Sequence, residues 1–106
     1  MSDAVWVLGT SMTHFGRYPE LDAVDLASRA CMDALADGGV TIHDMDVMGA
    51  GTLFQAQSGM GQRVQKQIGQ TGIPVFNVTN ACATGATAIR TVFPVSYTRL
   101  RVLETP

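Results

Sequence analysis

Apolar and polar positions follow two different periods along this chain, and the change from one to the other marks out its elements. Ala4-Val5-Trp6-Val7-Leu8 is a continuous apolar run ending at Gly9. Its length predicts a strand buried on both faces. Thr10–Pro19 reads as a polar loop carrying His14, Phe15, Gly16 and Arg17. From Leu21 onward Val24, Ala27, Ala30, Cys31, Ala34 and Leu35 recur at intervals of three and four. That spacing lines one face of an amphipathic helix. Asp22 and Asp25 fall in its first turn, where the helix dipole favours negative charge, and Gly38-Gly39 supplies the stop.

Asp46-Val47-Met48-Gly49-Ala50-Gly51 reads as a second strand entering a glycine-rich loop. Gln62–Ile68 predicts a short helix with Val64 and Ile68 inward and Arg63 and Lys66 outward; Gly69, Gly72 and Pro74 end it. Val75-Phe76-Asn77-Val78-Thr79 is a third strand of β-favouring types. Ala83–Phe93 then reads as a helix that Pro94 halts. Met45 and Met48 are expected to pack inside, and Met60 to belong to a loop or contact surface. Strands alternating with helices predict an α/β fold with a largely parallel sheet.

Beyond Pro94 the character of the chain shifts. Residues 1–93 carry 5 basic and 8 acidic side chains, whereas the last 13 add Arg99, Arg101 and Glu104. The string Pro94–Glu104 resembles translated sequencing-adapter read-through. Residues 1–93 are therefore expected to form one partial domain, and 94–106 a non-native tail. The other reading is an ordinary strand, Val95–Val102, closing the domain.

Composition narrows the function. Charged residues make up 15% of 106 residues, against about 25% in a typical soluble domain. A small domain needs polar groups to cover its large surface, so either Gly, Ser, Thr and Gln cover much of this one or it is part of a larger body. A net charge of −2 without a basic cluster argues against nucleic acid as a partner. No apolar run approaches the ~18–20 residues of a membrane span, and the start lacks the basic residue of a secretory signal. Cys31 and Cys82 stand 51 positions apart. They show neither a disulfide framework nor a metal-ligand spacing, and the expected location is cytoplasmic.

Cys82 is the sharpest candidate for chemistry. A strand delivers the chain to Asn80-Ala81-Cys82-Ala83-Thr84-Gly85-Ala86, and a helix begins there. A strand-to-helix turn can present a nucleophile at the carboxyl end of a sheet, where the first N–H groups of a helix stabilise a thiolate. Ala83, Gly85 and Ala86 leave room for an acyl group. A buried structural cysteine is the other reading of the same residues. Cys31 falls on the apolar helix face and reads as core, and His14 and His43 read as loop or surface residues. Gly49-Ala50-Gly51 and Gly59-Met60-Gly61 open as Gly-x-Gly but lack the third glycine, having Phe54 and Val64 there, so nucleotide binding is rejected.

Thr71–Gly85 closely resembles the nucleophile segment of thiolases, above all the branch of the sterol-carrier-protein-type thiolases and bacterial lipid-transfer proteins. Val7–Gly16 resembles that branch's first strand and loop, and Ser58–Arg63 matches it as well. The resemblance covers residues 4–93 in order. It implies an incomplete N-terminal half of a thiolase-like αβαβα layered sandwich, each half built as βαβαβαββ. It implies that Cys82 is the nucleophile of an acyl-CoA acyltransferase of the acetyl-CoA acetyltransferase type, cleaving 3-ketoacyl-CoA or running the reverse condensation. Coenzyme A thioester would be substrate, with no cofactor and no metal. The backbone N–H of Cys82 would supply one oxyanion donor. The activating histidine of thiolases lies in a Gly-His-Pro segment and the second cysteine in Cys-x-Gly, and this chain has neither. Negligible activity is thus expected of the chain alone. Homodimerisation through Val75–Asn80 is implied too. The branch also holds lipid-transfer proteins and aldolases acting on steroid side chains with an OB-fold, zinc-containing partner. A lipid-transfer, aldolase-type or non-catalytic lipid-binding role is therefore the alternative.

Overall fold

A computed structural model describes residues 5–54, 58–96 and 102–105. Helix α1, Ala23–Asp37, begins where Asp22 and Asp25 form a reciprocal capping box. The Asp25 N–H donates to Asp22 Oδ1 at 2.8 Å, and the Asp22 N–H donates to Asp25 Oδ2 at 3.1 Å. These bonds satisfy two of the donors that a helix start leaves over. The helix ends at Gly38, and Gly39 takes φ +69°, a conformation open to glycine without a Cβ penalty. Its apolar stripe Val24, Ala27, Cys31 and Leu35 is buried as the spacing predicts.

A 3₁₀ turn, Ile42–Asp44, leads into strand β1, Val47–Gly51, which is buried at all five positions. Helix α2 is Met60–Ile68 and strand β2 is Val75–Val78. A second 3₁₀ turn, Ala81–Ala83, opens helix α3, Thr84–Ser96, and strand β3 is Val102–Thr105. The sheet order is β2-β1-β3, with both pairings parallel. Met48 pairs with Val75 and Gly51 with Val78, so β1 and β2 end together.

Side chains of β1 alternate between two layers, as strand geometry requires. Met48 joins Val24, Ala27, Cys31, Leu35, Ile42, Met45, Met60, Val64 and Ile68 in one core beneath α1 and α2. Each large apolar side chain there contributes about 1.5–3 kcal/mol. Gly51 faces the other way, toward Thr84 and Ala88 of α3. The result is a helix–sheet–helix sandwich about one central strand, the α/β architecture that the sequence predicts.

Four expectations are corrected. Val5–Leu8 forms no strand; Trp6 and Val7 are 78% and 80% exposed, and Ala4 lies outside the described residues. With β2 and β3 on both edges of β1, the segment has no buried place beside the central strand, and it does not pair with their outer edges. The segment is held instead at the end of α1, where the Thr10 N–H donates to Asp37 Oδ2 at 3.0 Å. Met60 is core rather than loop or contact surface, 4% exposed, because α2 starts two residues earlier than its charges suggest. That places Met60, Val64 and Ile68 on one face. Pro94 does not halt α3, which runs on to Ser96. In a last turn the missing proline N–H removes one bond, and few residues remain to be broken. Finally, the strand near the end of the chain lies at 102–105 and not at 95–102, with residues 97–101 and 106 outside the described set.

Candidate active site

The carboxyl ends of β1 and β2 converge on the turn that carries Cys82. The Thr52 N–H donates to Val78 O at 3.0 Å, and Thr79 Oγ1 donates to Leu53 O at 3.3 Å. These bonds extend the strand pairing into the two loops beyond it. This is the end of a parallel sheet at which α/β folds assemble their sites.

Ala81 has φ +46°, the one non-glycine residue with positive φ among the described residues. A left-handed alanine costs about 1–2 kcal/mol, so neighbouring bonds must hold it. Thr84, 8% exposed, does so from the first turn of α3. Its Oγ1 accepts the Asn80 N–H at 2.8 Å and donates to Ala81 O at 2.7 Å. Beside it, Asn80 Nδ2 donates to Thr87 Oγ1 at 3.0 Å, and that hydroxyl donates to Ala83 O at 2.9 Å. The sequence reading missed this network. Thr and Asn at a strand-to-helix junction are the available signal, since both favour helix starts.

Cys82 itself is exposed, immediately after the left-handed residue. The next small residues, Ala83, Gly85 and Ala86, are exposed too, and a Cβ on Gly85 would meet nothing within 4 Å. Gly51 lets the helix start sit this close to the sheet. A Cβ there would stand 2.8 Å from Thr84 Cγ2 and 3.0 Å from Thr84 O. An accessible thiol with open space beyond it can attack a carbonyl carbon. Among the described residues it is not packed into the core.

The remaining candidates lie elsewhere. Cys31 is 2% exposed in the core, and burial pushes its thiol up to about 12. His43 is exposed on the turn that precedes β1, hence at the opposite end of the sheet from Cys82. His14 is exposed in the first loop, where its carbonyl accepts the Tyr18 hydroxyl at 2.7 Å. Among the described residues no three His, Cys, Asp or Glu side chains cluster as metal ligands would. Two open clefts, of about 410 and 300 Å³, border α1 and α2, and neither is lined by the Cys82 turn. No helix among the described residues is long and apolar enough to cross a membrane.

No family model matches the chain. Sterol carrier protein 2 of Gallus gallus is 40% identical over 92 residues, which are 84% of this chain and 17% of that protein. An acetyl-CoA acetyltransferase of Methanothermobacter thermautotrophicus is 34% identical over 90 residues, 81% of this chain and 24% of that one. The chain belongs to the thiolase superfamily, in its sterol-carrier-protein 2 type. It superposes on a crystal structure of a Xanthomonas campestris OleA variant with a TM-score of 0.68, covering 81% of this chain and 27% of that one. At 17% identity that likeness is one of fold. The chain spans about one fifth of the length of the curated thiolase-superfamily relatives it matches.

Proposed function

We propose that this chain carries the nucleophile of a thiolase-like acyltransferase, with Cys82 accepting the acyl group. The observation that supports this reading is the exposed thiol held behind a left-handed residue at the carboxyl end of β2. In the transfer from an acyl-CoA, a bond forms between Cys82 Sγ and the carbonyl carbon. The carbon–sulfur bond to coenzyme A breaks, and the coenzyme leaves with the proton that the cysteine gave up. Cleavage of a 3-ketoacyl-CoA begins with the same attack at the keto carbon. The N–H groups at the start of α3 suit the developing oxyanion. The base that such a nucleophile needs is not supplied by His14, His43 or any Gly-His-Pro segment of this chain. The 106 residues alone should therefore turn over negligibly, and the activity belongs to a thiolase body larger than the described sandwich.

The outer edge of β2 bears Phe76, 44% exposed, and it is the edge we assign to a second copy in a homodimer. A lipid-binding reading draws on the printed name of the Gallus gallus relative and on the cleft lined by Met32, Leu35, Val40, Ile42 and Ile68. The OB-fold, zinc-containing partner belongs to the aldolase form of that reading.

Alkylation tests the nucleophile. The full-length parent protein, which would hold the activating groups, is treated with iodoacetamide, and modification at Cys82 is timed by peptide mass spectrometry beside a urea-unfolded sample. Cys82 should react faster in the folded parent than in the unfolded one; slower reaction there would sink the proposal.

A further inference from the structure

We infer that Thr84 is the positioning residue of the Cys82 site, acting through the turn and not by touching the acyl group. The inference rests on the nucleophile reading above for its chemistry, but its geometry stands separately. The two bonds of Thr84 Oγ1 bracket Asn80 and Ala81: one takes the Asn80 N–H, the other reaches Ala81 O. All four backbone torsions of Asn80 and Ala81 lie between those two atoms. One hydroxyl thus closes a small ring around the left-handed residue and fixes the direction in which the chain enters Cys82. Its methyl is held as well, since Thr84 Cγ2 and Thr84 O fill the space beside Gly51. The hydroxyl is both donor and acceptor here, so valine, which matches its shape, can do neither job. Released from the ring, Ala81 is free to return to negative φ, where an alanine is unstrained.

Three variants of the whole chain test this: Thr84→Val, Thr84→Ser, and Thr91→Val as a control. Thr91 Oγ1 also donates to a backbone carbonyl, Thr87 O at 2.8 Å, but one turn deeper in α3. The first readout is the NMR three-bond coupling between Ala81 Hα and the preceding carbonyl carbon, which is large only at positive φ, with hydrogen exchange of the Asn80 amide. The second is the folded-to-unfolded ratio of Cys82 alkylation rates. In Thr84→Val the Ala81 coupling should move to the negative-φ value, the Asn80 amide should lose protection, and the ratio should fall by about tenfold. Thr84→Ser should keep all three, and Thr91→Val should change none. An unchanged Ala81 coupling in Thr84→Val overturns the inference, as does loss in Thr84→Ser to the same extent as in valine. If Thr84→Val fails to fold, Thr84→Ala is read by the same coupling. A ratio at or below one in the full-length parent would defeat the nucleophile reading instead, while the coupling still decides on Thr84.

Discussion

The carboxamide of Asn77 joins strand β2 to the start of helix α2, accepting the Gly61 N–H at Oδ1 and donating from Nδ2 to Gln62 Oε1, both at 2.7 Å. The residue before the helix, Gly59, has no side chain to cap it, so the strand provides the acceptor. Gly61 is buried, and removing its partner leaves a donor without water. Asn77→Ala should lower stability by about 1–3 kcal/mol in urea unfolding. Asn77→Asp keeps the acceptor and should lose less.

Gly51→Ala examines how tightly α3 is seated on the sheet. The added Cβ would fall 2.8 Å from Thr84 Cγ2 and 3.3 Å from Ala88 Cβ. Overpacking of this kind costs about 1–3 kcal/mol. The expected outcome is a matching fall in the urea midpoint, with chemical-shift changes centred on residues 80–88.

The capping box gives α1 a pH dependence. The Asp22 backbone N–H, followed by the Gln67 side-chain amide, holds the Asp25 carboxyl below the usual carboxylate range. A depressed folded value means that the unfolded chain binds the proton first as pH falls. The contribution of Asp25 is therefore complete above about pH 4 and is lost as acid carries the group through its folded value. Thermal melts across pH 2–6 should show a shallower acid decline in Asp25→Asn than in the parent chain.

Cys31 has the opposite behaviour at the alkaline end. Its thiol is pushed up to about 12 by burial, against about 8.5 for a free cysteine. The unfolded chain loses this proton while the folded chain retains it, so stability falls as pH rises between those values. Cys31→Ala should remove that part of the alkaline slope. At neutral pH, iodoacetamide should label Cys82 in the folded chain and reach Cys31 only after unfolding.

Trp6 is the sole tryptophan of the chain and is 78% exposed. Acrylamide should quench its fluorescence in the folded chain about as strongly as in urea. Strong protection would mean that Val5–Leu8 is buried.

Elements whose signal is local were legible in the sequence. The stripe from Val24 to Leu35, the stop at Gly38-Gly39 and the strand at Val75 all depend on spacing or on one residue's conformational freedom. The exposed strand-to-helix turn at Cys82 was legible for the same reason, through its run of small residues. What escaped depends on partners distant in the chain. Whether Val5–Leu8 is a strand is decided by what occupies the edges of β1, 40 positions later and more. The inward face of Met60 follows from where α2 begins, and that start is set by Asn77 on another element. The Thr84 hydroxyl was hidden in a string read for its small size, since its role needs the left-handed Ala81 to be seen first.

The pairing of β1 also sets an order of assembly. Met48 meets Val75, 27 positions on, whereas Val47 meets Val102, 55 positions on. Doubling a loop adds about 0.6 kcal/mol to the entropy of closing it. The β1–β2 half of the sheet can therefore form before β3 joins it, and the Cys82 turn is completed on a two-stranded scaffold.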